Sequence, residues 1–289
     1  MGRDSSVLYG LTMLKEALLS ILLHSVPPGV SYYSLEVATE CAPTAASCEG
    51  AKRSSFYGTW VRKESESTAR DRYERIAGAV VDAAEELTCI NSNLSCTPPE
   101  GVFYKDGRRR WTPLLLSSAL AAAVVYESGL REDVMVGRGS SRRASDDGGK
   151  GRGWANEGCL VQIHPAVVAS FADAPDWLRK RAKRGSEQAR EQIMKTLLGG
   201  DYASLKRCFR AGMRMLIRAD LVCRRRHAEN PWDFAMYSMY STGHSCASSN
   251  GGQSELRSRL FRKIVSMVRA SCAIAGAPSC VGPRPGIES

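Results

Sequence analysis

The run from Leu114 to Tyr126 holds only apolar side chains and two serines, and it constrains the fold more than any other segment. Thr112-Pro113 precedes it, placing a hydroxyl at the N-cap and proline at the first helical position, so a helix is predicted to start there. A helix without a polar face is buried on all sides, and the rest of the chain must pack around it. The run ends in Glu127-Ser128-Gly129, which brings a carboxylate to the end of the most apolar helix in the chain. Burial disfavours the ionised form of a glutamate and raises its pKa, which suits a group that donates a proton near neutral pH. Glu127 is therefore a candidate general acid. The plain alternative is a solvated helix-end residue or an internal ion pair.

Other segments carry helical periodicity around this core. Val61, Tyr73, Ile76, Ala77, Val80, Val81, Ala84 and Leu87 recur at three and four residues, predicting a helix with one buried stripe within 59–87. Val7 to Val26 is apolar at many positions but interrupted by Lys15 and Glu16; it reads equally as an amphipathic helix or an export signal. Further helices are expected over 166–172, 186–198, 203–222, 231–241 and 254–270, and strand signal is scarce. The fold is expected to be mainly α, with residues 1–30 as an apolar N-terminal segment and 31–111 as a helical, cysteine-containing accessory region. A catalytic domain over 112–273 and a Pro/Gly-rich tail over 274–289 complete the division. Gly137 to Gly153, rich in Gly, Ser, Arg and Asp, is expected to form a long surface loop.

Lysine and arginine outnumber acids by 40 to 30, and this excess favours a polyanionic partner. Nucleic acid, anionic lipid, peptidoglycan and other wall polymers all qualify on charge alone. The basic runs Arg108 to Arg110, Arg179 to Arg184 and Arg224 to Arg226 are not interleaved with the stacking aromatics that single-strand binders use, so no specific nucleic acid is expected. Ten cysteines lack a repeated CxxC pair and stand with only four histidines, which argues against a zinc module. Scattered spacing reads better as disulfides, hence a periplasmic, extracellular or virion location. Cys208 and Cys223 flank one predicted helix, while Cys159 and Cys246 lie beside the motifs described next, so these four are placed to staple them together. No transmembrane span, cofactor or metal is expected.

Three short stretches, in order, carry a resemblance. Tyr126-Glu127-Ser128-Gly129-Leu130 resembles the Glu-Ser-x-Phe signature of the lytic transglycosylase family, the lysozyme-like group akin to goose-type lysozyme. Cys159-Leu160-Val161-Gln162-Ile163-His164-Pro165 is similar to that family's Gly-Leu-Met-Gln-Ile-x-Pro motif. Ala235, Tyr240 and Gly243 resemble its Ala-x-x-x-Tyr-Asn-x-Gly motif, with one residue more between Ala235 and Tyr240 than the motif has, and Ala211-Gly212 resembles the Ala-Gly pair between the two. The likeness runs from near Pro113 to near Cys246 and leaves the first hundred residues uncovered. Ser241 stands where the family has Asn, and Cys159 and Val161 replace Gly and Met.

What the resemblance implies is a lysozyme-like catalytic domain acting on peptidoglycan glycan strands. Glu127 would protonate the oxygen between N-acetylmuramic acid and N-acetylglucosamine, then take the proton of the muramic acid 6-hydroxyl, leaving a 1,6-anhydro end. Ser128, Gln162, Tyr240 and Ser241 are the implied substrate contacts. Gln162 has an amide that can both donate to and accept from an N-acetyl group. His164, beside a proline and without ligand spacing, reads as structural. Two other readings stand beside this one. A water-using muramidase would need a second acid, for which Glu132, Asp133, Asp146 and Asp147 are available. A non-enzymatic wall-binding or virion protein would keep the fold without the chemistry.

Overall fold

The computed structural model describes residues 5–25, 66–90, 97–130, 132–135, 159–226, 229–248 and 252–274. The segment from Ser31 to Tyr57, the loop from Gly137 to Gly153 and the tail from Ala275 lie outside them. The described chain is mainly helical, as expected. In order the helices are α1 (Ser5–Ser25), α2 (Glu66–Thr88), α3 (Pro113–Ser128), α4 (Glu132–Met135) and α5 (Pro165–Phe171). They continue with α6 (Asp176–Lys183), α7 (Glu187–Lys195), α8 (Tyr202–Arg226), α9 (Trp232–Thr242) and α10 (Gln253–Ile274). Pairing of strand type among the described residues is confined to a small hairpin in which Phe103 bridges Arg109 and Gly107, at φ +81°, closes the turn.

Two compact units are assembled from separated segments. The first comprises Met1–Ile21, Ala77–Ala122 and Gly212–Ser289. Its α1 buries Leu14, Leu18 and Ile21 and anchors Lys15 to Asp82 at 2.7 Å. Every residue of α3 up to Tyr126 is buried, which is what a helix with no polar face requires. Trp111, Trp232, Phe261 and Tyr237 form a chain of edge-to-face rings, an arrangement favoured by the ring quadrupoles. Tyr237 is fully buried and donates its hydroxyl to the Ala119 carbonyl at 2.8 Å, tying α9 to the first half of α3. The buried Asp233 carboxylate accepts from Ser258 at 2.7 Å and from Arg262 at 2.6 Å, which holds α10 against α9. A disulfide between Cys223 and Cys246 joins the end of α8 to the segment after α9.

The second unit comprises Leu22–Ile76 and Ala123–Ala211. Within it α5, α6 and α7 pack on one another. The starts of α5 and α7 are capped by side chains, while α6 begins after Pro175 without one. His164 Nδ1 accepts from the Ala166 amide at 3.1 Å, which gives this histidine a structural task, and Ser186 accepts from Ala189 at 3.3 Å. Asp201 accepts from the Ser204 amide at 3.0 Å and hydroxyl at 2.6 Å at the start of α8. A second disulfide, between Cys159 and Cys208, fastens the second motif to the first turns of α8.

α4 and α6 lie outside the predicted set, and α8 and α10 each run four residues past their predicted ends. α6 has no counterpart in the predicted set, because Leu178 and Ala182 are its only buried residues and so brief a stripe leaves little apolar periodicity. α8 extends to Arg226, four residues past its predicted end. Its last turn is basic, matching the partial negative charge of a helix C-terminus, and Arg224 returns to Asp220 at 2.7 Å.

Candidate functional site

Glu127, Ser128 and Gln162 belong to the second unit, Tyr240 and Ser241 to the first. Glu127 is the penultimate residue of α3 and is half-buried, so the sequence overstated its burial: the helix sinks fully only as far as Tyr126. After it the chain turns sharply. Gly129 at φ +55° and Leu130 at φ +59° are both left-handed, and the Gly129 amide still donates to Val125 at 3.1 Å. A left-handed leucine is unusual, since its Cβ crowds the following carbonyl at a cost of about 1–2 kcal/mol. Arg72 of α2 stabilises this turn. Its buried guanidinium donates Nε–H to the Leu130 carbonyl at 2.9 Å. Sequence reasoning missed Arg72, which occupies a buried position of a helix otherwise striped with apolar residues; the mismatch between charge and periodicity was the available signal.

Ser128 is buried and its hydroxyl donates to the Val124 carbonyl at 2.8 Å. That is the back-bonding of a helical serine, which occupies the group with backbone. Gln162 lies in a tight turn where Cys159 at φ +56° and Gln162 itself at φ +54° are both left-handed, and the Gln162 amide donates to the Cys159 carbonyl at 3.1 Å. Its side-chain Nε2 donates to the same carbonyl at 3.0 Å, while its buried Oε1 has no hydrogen-bond donor among the described residues. Four described non-glycine residues have positive φ, and three of them, Leu130, Cys159 and Gln162, lie in the first and second motifs. Such conformations persist only where the surroundings impose them, and they cluster at functional sites. Here the Arg72 hydrogen bond and the Cys159–Cys208 disulfide impose them.

The third motif plays a more structural part than expected. Ala235 packs with the Cys223–Cys246 disulfide and Met239, and Gly243, at φ +76°, closes α9 in the left-handed conformation with its amide on Met239 at 2.8 Å. Ser241 donates to the Ser238 carbonyl at 3.2 Å. Tyr240 is half-buried. The fully buried tyrosine of this helix is Tyr237, whose hydroxyl burial and the Asp233 charge push well above the ordinary tyrosine range.

The three basic runs have different fates. Arg110 pairs with Asp220, which is 1% exposed and also holds Arg224. Burial draws the Arg110 guanidinium below its ordinary pKa, and the Asp220 charge opposes that shift. Arg109 donates to the carbonyls of Thr88, the last residue of α2, and of Cys89 just after it, Arg225 pairs with Glu100 at 3.1 Å, and Arg108 pairs with Asp106 at 2.7 Å. Arg109, Arg110 and Arg224 are thus committed to the fold, while Arg108 and Arg225 stand in exposed ion pairs. Tyr104 lies near the Arg108 and Arg110 guanidiniums, at 5.5 and 5.6 Å, so the first run does have an aromatic neighbour. In the run from Arg179 to Arg184, Arg179 pairs with Asp176, the only acid of α6.

Cys89 and Cys272 are also disulfide-bonded, and no described cysteine is free, a state that fits an oxidising compartment. Among the described residues, no helix is long and apolar enough to cross a membrane, and no group of three or more His, Cys, Asp or Glu is arranged to hold a metal ion. The chain matches no protein-family model, no curated protein and no solved structure.

Proposed function

We propose that the chain is a peptidoglycan-cleaving lytic transglycosylase that works in the periplasm, outside the cell or on a virion, with Glu127 as its single acid and base. The observation that carries the proposal is the setting of Glu127: a carboxylate ending a fully buried helix, followed by a left-handed Gly129-Leu130 turn fixed by Arg72. A rigid element of this kind holds a proton donor in one geometry, which is the main demand of general acid catalysis. The motif order read from the sequence supports it. So does Gln162, whose side-chain amide is of the kind that pairs with an N-acetyl group.

In this mechanism the Glu127 carboxyl proton passes to the glycosidic oxygen between N-acetylmuramic acid and N-acetylglucosamine. The bond from that oxygen to the muramic acid C1 breaks, and the substrate's own acetamido oxygen stabilises the positive charge on C1. The Glu127 carboxylate then takes the proton of the 6-hydroxyl while O6 bonds to C1. The acid is regenerated and no water is consumed. Because the acetamido group replaces the second carboxylate of two-carboxylate glycosidases, one glutamate suffices.

Mass analysis of muropeptides released from purified sacculi tests the proposal. Anhydro ends are expected from the parent, and Glu127→Gln should lower release by about two orders of magnitude or more. Reducing ends would assign a muramidase instead. A Gln variant with parental turnover, or no release by the parent, would remove the enzymatic reading.

A further inference from the structure

Trp177 is 55% exposed, the most exposed large hydrophobic side chain among the described residues. It lies on α6, where Leu178 and Ala182 are turned into the second unit. Lys180, Arg181 and Arg184 follow Trp177 at three, four and seven residues, the spacing that places side chains on one helix face, and all three are exposed. Lys183 adds another exposed cation nearby. Asp176, the one acid of the helix, is taken by Arg179, which holds its carboxyl below the ordinary aspartate range. In the two other basic runs Arg109, Arg110 and Arg224 serve a helix end and the buried Asp220, while Arg108 and Arg225 stand in exposed ion pairs with Asp106 and Glu100; this run sets five cations against the one acid of its helix.

We propose that this face of α6 is a docking surface for the peptidoglycan strand itself, separate from the residues that cut it. An indole ring stacks on the apolar face of a pyranose, and the surrounding cations meet the carboxylates of the stem peptides at regular intervals along the strand. The inference rests on the proposed function for the identity of the polymer. An anionic membrane fits less well. Insertion needs a stripe of several apolar residues, and the other apolar residues of α6 are already buried in the protein. Single-stranded nucleic acid uses successive stacking platforms, whereas this face presents one ring.

Co-sedimentation with purified sacculi tests the surface, using the full chain in a Glu127→Gln background so that binding is read without cleavage. Trp177→Ala is expected to weaken binding about tenfold, as loss of an aromatic anchor does at a binding surface. Lys180→Glu with Arg181→Glu should weaken it similarly and flatten its salt dependence, because screening acts on the charges it removes. Glycan strands stripped of stem peptides should bind more weakly than intact sacculi and lose less affinity in the charge variant. The same proteins are run against oligo-dT and against vesicles containing phosphatidylglycerol. Unchanged sacculus binding in both variants overturns the inference, as does a loss confined to oligo-dT or to vesicles. If the parent binds sacculi through Trp177 yet releases no muropeptides, the enzymatic reading fails and the docking surface stands.

Discussion

Arg72→Met tests whether the turn behind Glu127 is held from α2. Methionine keeps most of the buried stem but removes the Nε–H that reaches the Leu130 carbonyl at 2.9 Å. A hydrogen bond from a charged donor contributes about 1.5–3 kcal/mol. Part of that loss is returned because the variant no longer buries a cation, so a net destabilisation of about 2 kcal/mol is expected. For a chain of this size that is a fall in Tm of roughly 4–8 °C. The same bond opposes the cost of about 1–2 kcal/mol of a left-handed Leu130. Without it the turn relaxes and Glu127 loses its fixed direction. Sacculus cleavage should therefore fall by more than the loss of folded protein explains, with kcat reduced more than KM is raised. Denaturant titration followed by muropeptide release under conditions where the variant is fully folded gives both numbers. If the variant matches the parent in midpoint, the hydrogen bond does not hold the turn. If it loses stability but keeps parental kcat, Arg72 is structural and has no part in positioning the acid.

Three further outcomes are expected. Ser128→Ala should retain cleavage within about threefold of the parent, because its hydroxyl is committed to Val124 and such backbone bonds add little to helices; a much larger fall would restore Ser128 as a substrate contact. Asp201→Ala should cost about 1 kcal/mol at neutral pH by removing the cap of α8. The hydrogen bonds from Ser204 hold the Asp201 pKa below 3.8, so the carboxylate's contribution is present above that pH and is lost as pH falls through its lower folded value. Parent and variant should converge in stability at acid pH, and a constant difference would exclude the carboxylate as its source. Replacing Cys223 and Cys246 together by serine opens a link of sequence separation 23 and should cost about 3 kcal/mol by the chain-entropy estimate. The Cys159 and Cys208 pair, with separation 49, should cost about 4 kcal/mol; unchanged denaturation midpoints in both would refute the estimate.

Local chemistry made several features readable in the sequence. An apolar run with no polar face can only be a buried helix, and α3 is one, started by Thr112-Pro113 and ended at the glycine where Glu127 is delivered. The stripe within α2, the structural role of His164 beside a proline and the oxidised state of cysteines with no ligand spacing follow from equally local rules. The pairing of Cys159 with Cys208 and of Cys223 with Cys246 joins the four residues singled out for their positions, although spacing left the partners open.

Contacts between residues far apart in the chain could not be read this way, because their energies depend on which groups the fold makes neighbours. Periodicity marks the position of Arg72 as a buried one, but only folding brings Leu130 to its guanidinium, 58 residues away. Asp220 turns Arg110 and Arg224 from apparent surface charge into a buried ion cluster. The third motif places a tyrosine at 240, yet α9 turns Tyr237 inward to the Ala119 carbonyl and leaves Tyr240 half-buried, since the helical phase is set by packing against α3 and α10. The exposure of Trp177 was likewise decided by tertiary structure. Its helix has one short buried stripe, and the residues filling it, Leu178 and Ala182, leave the indole exposed beside the cations.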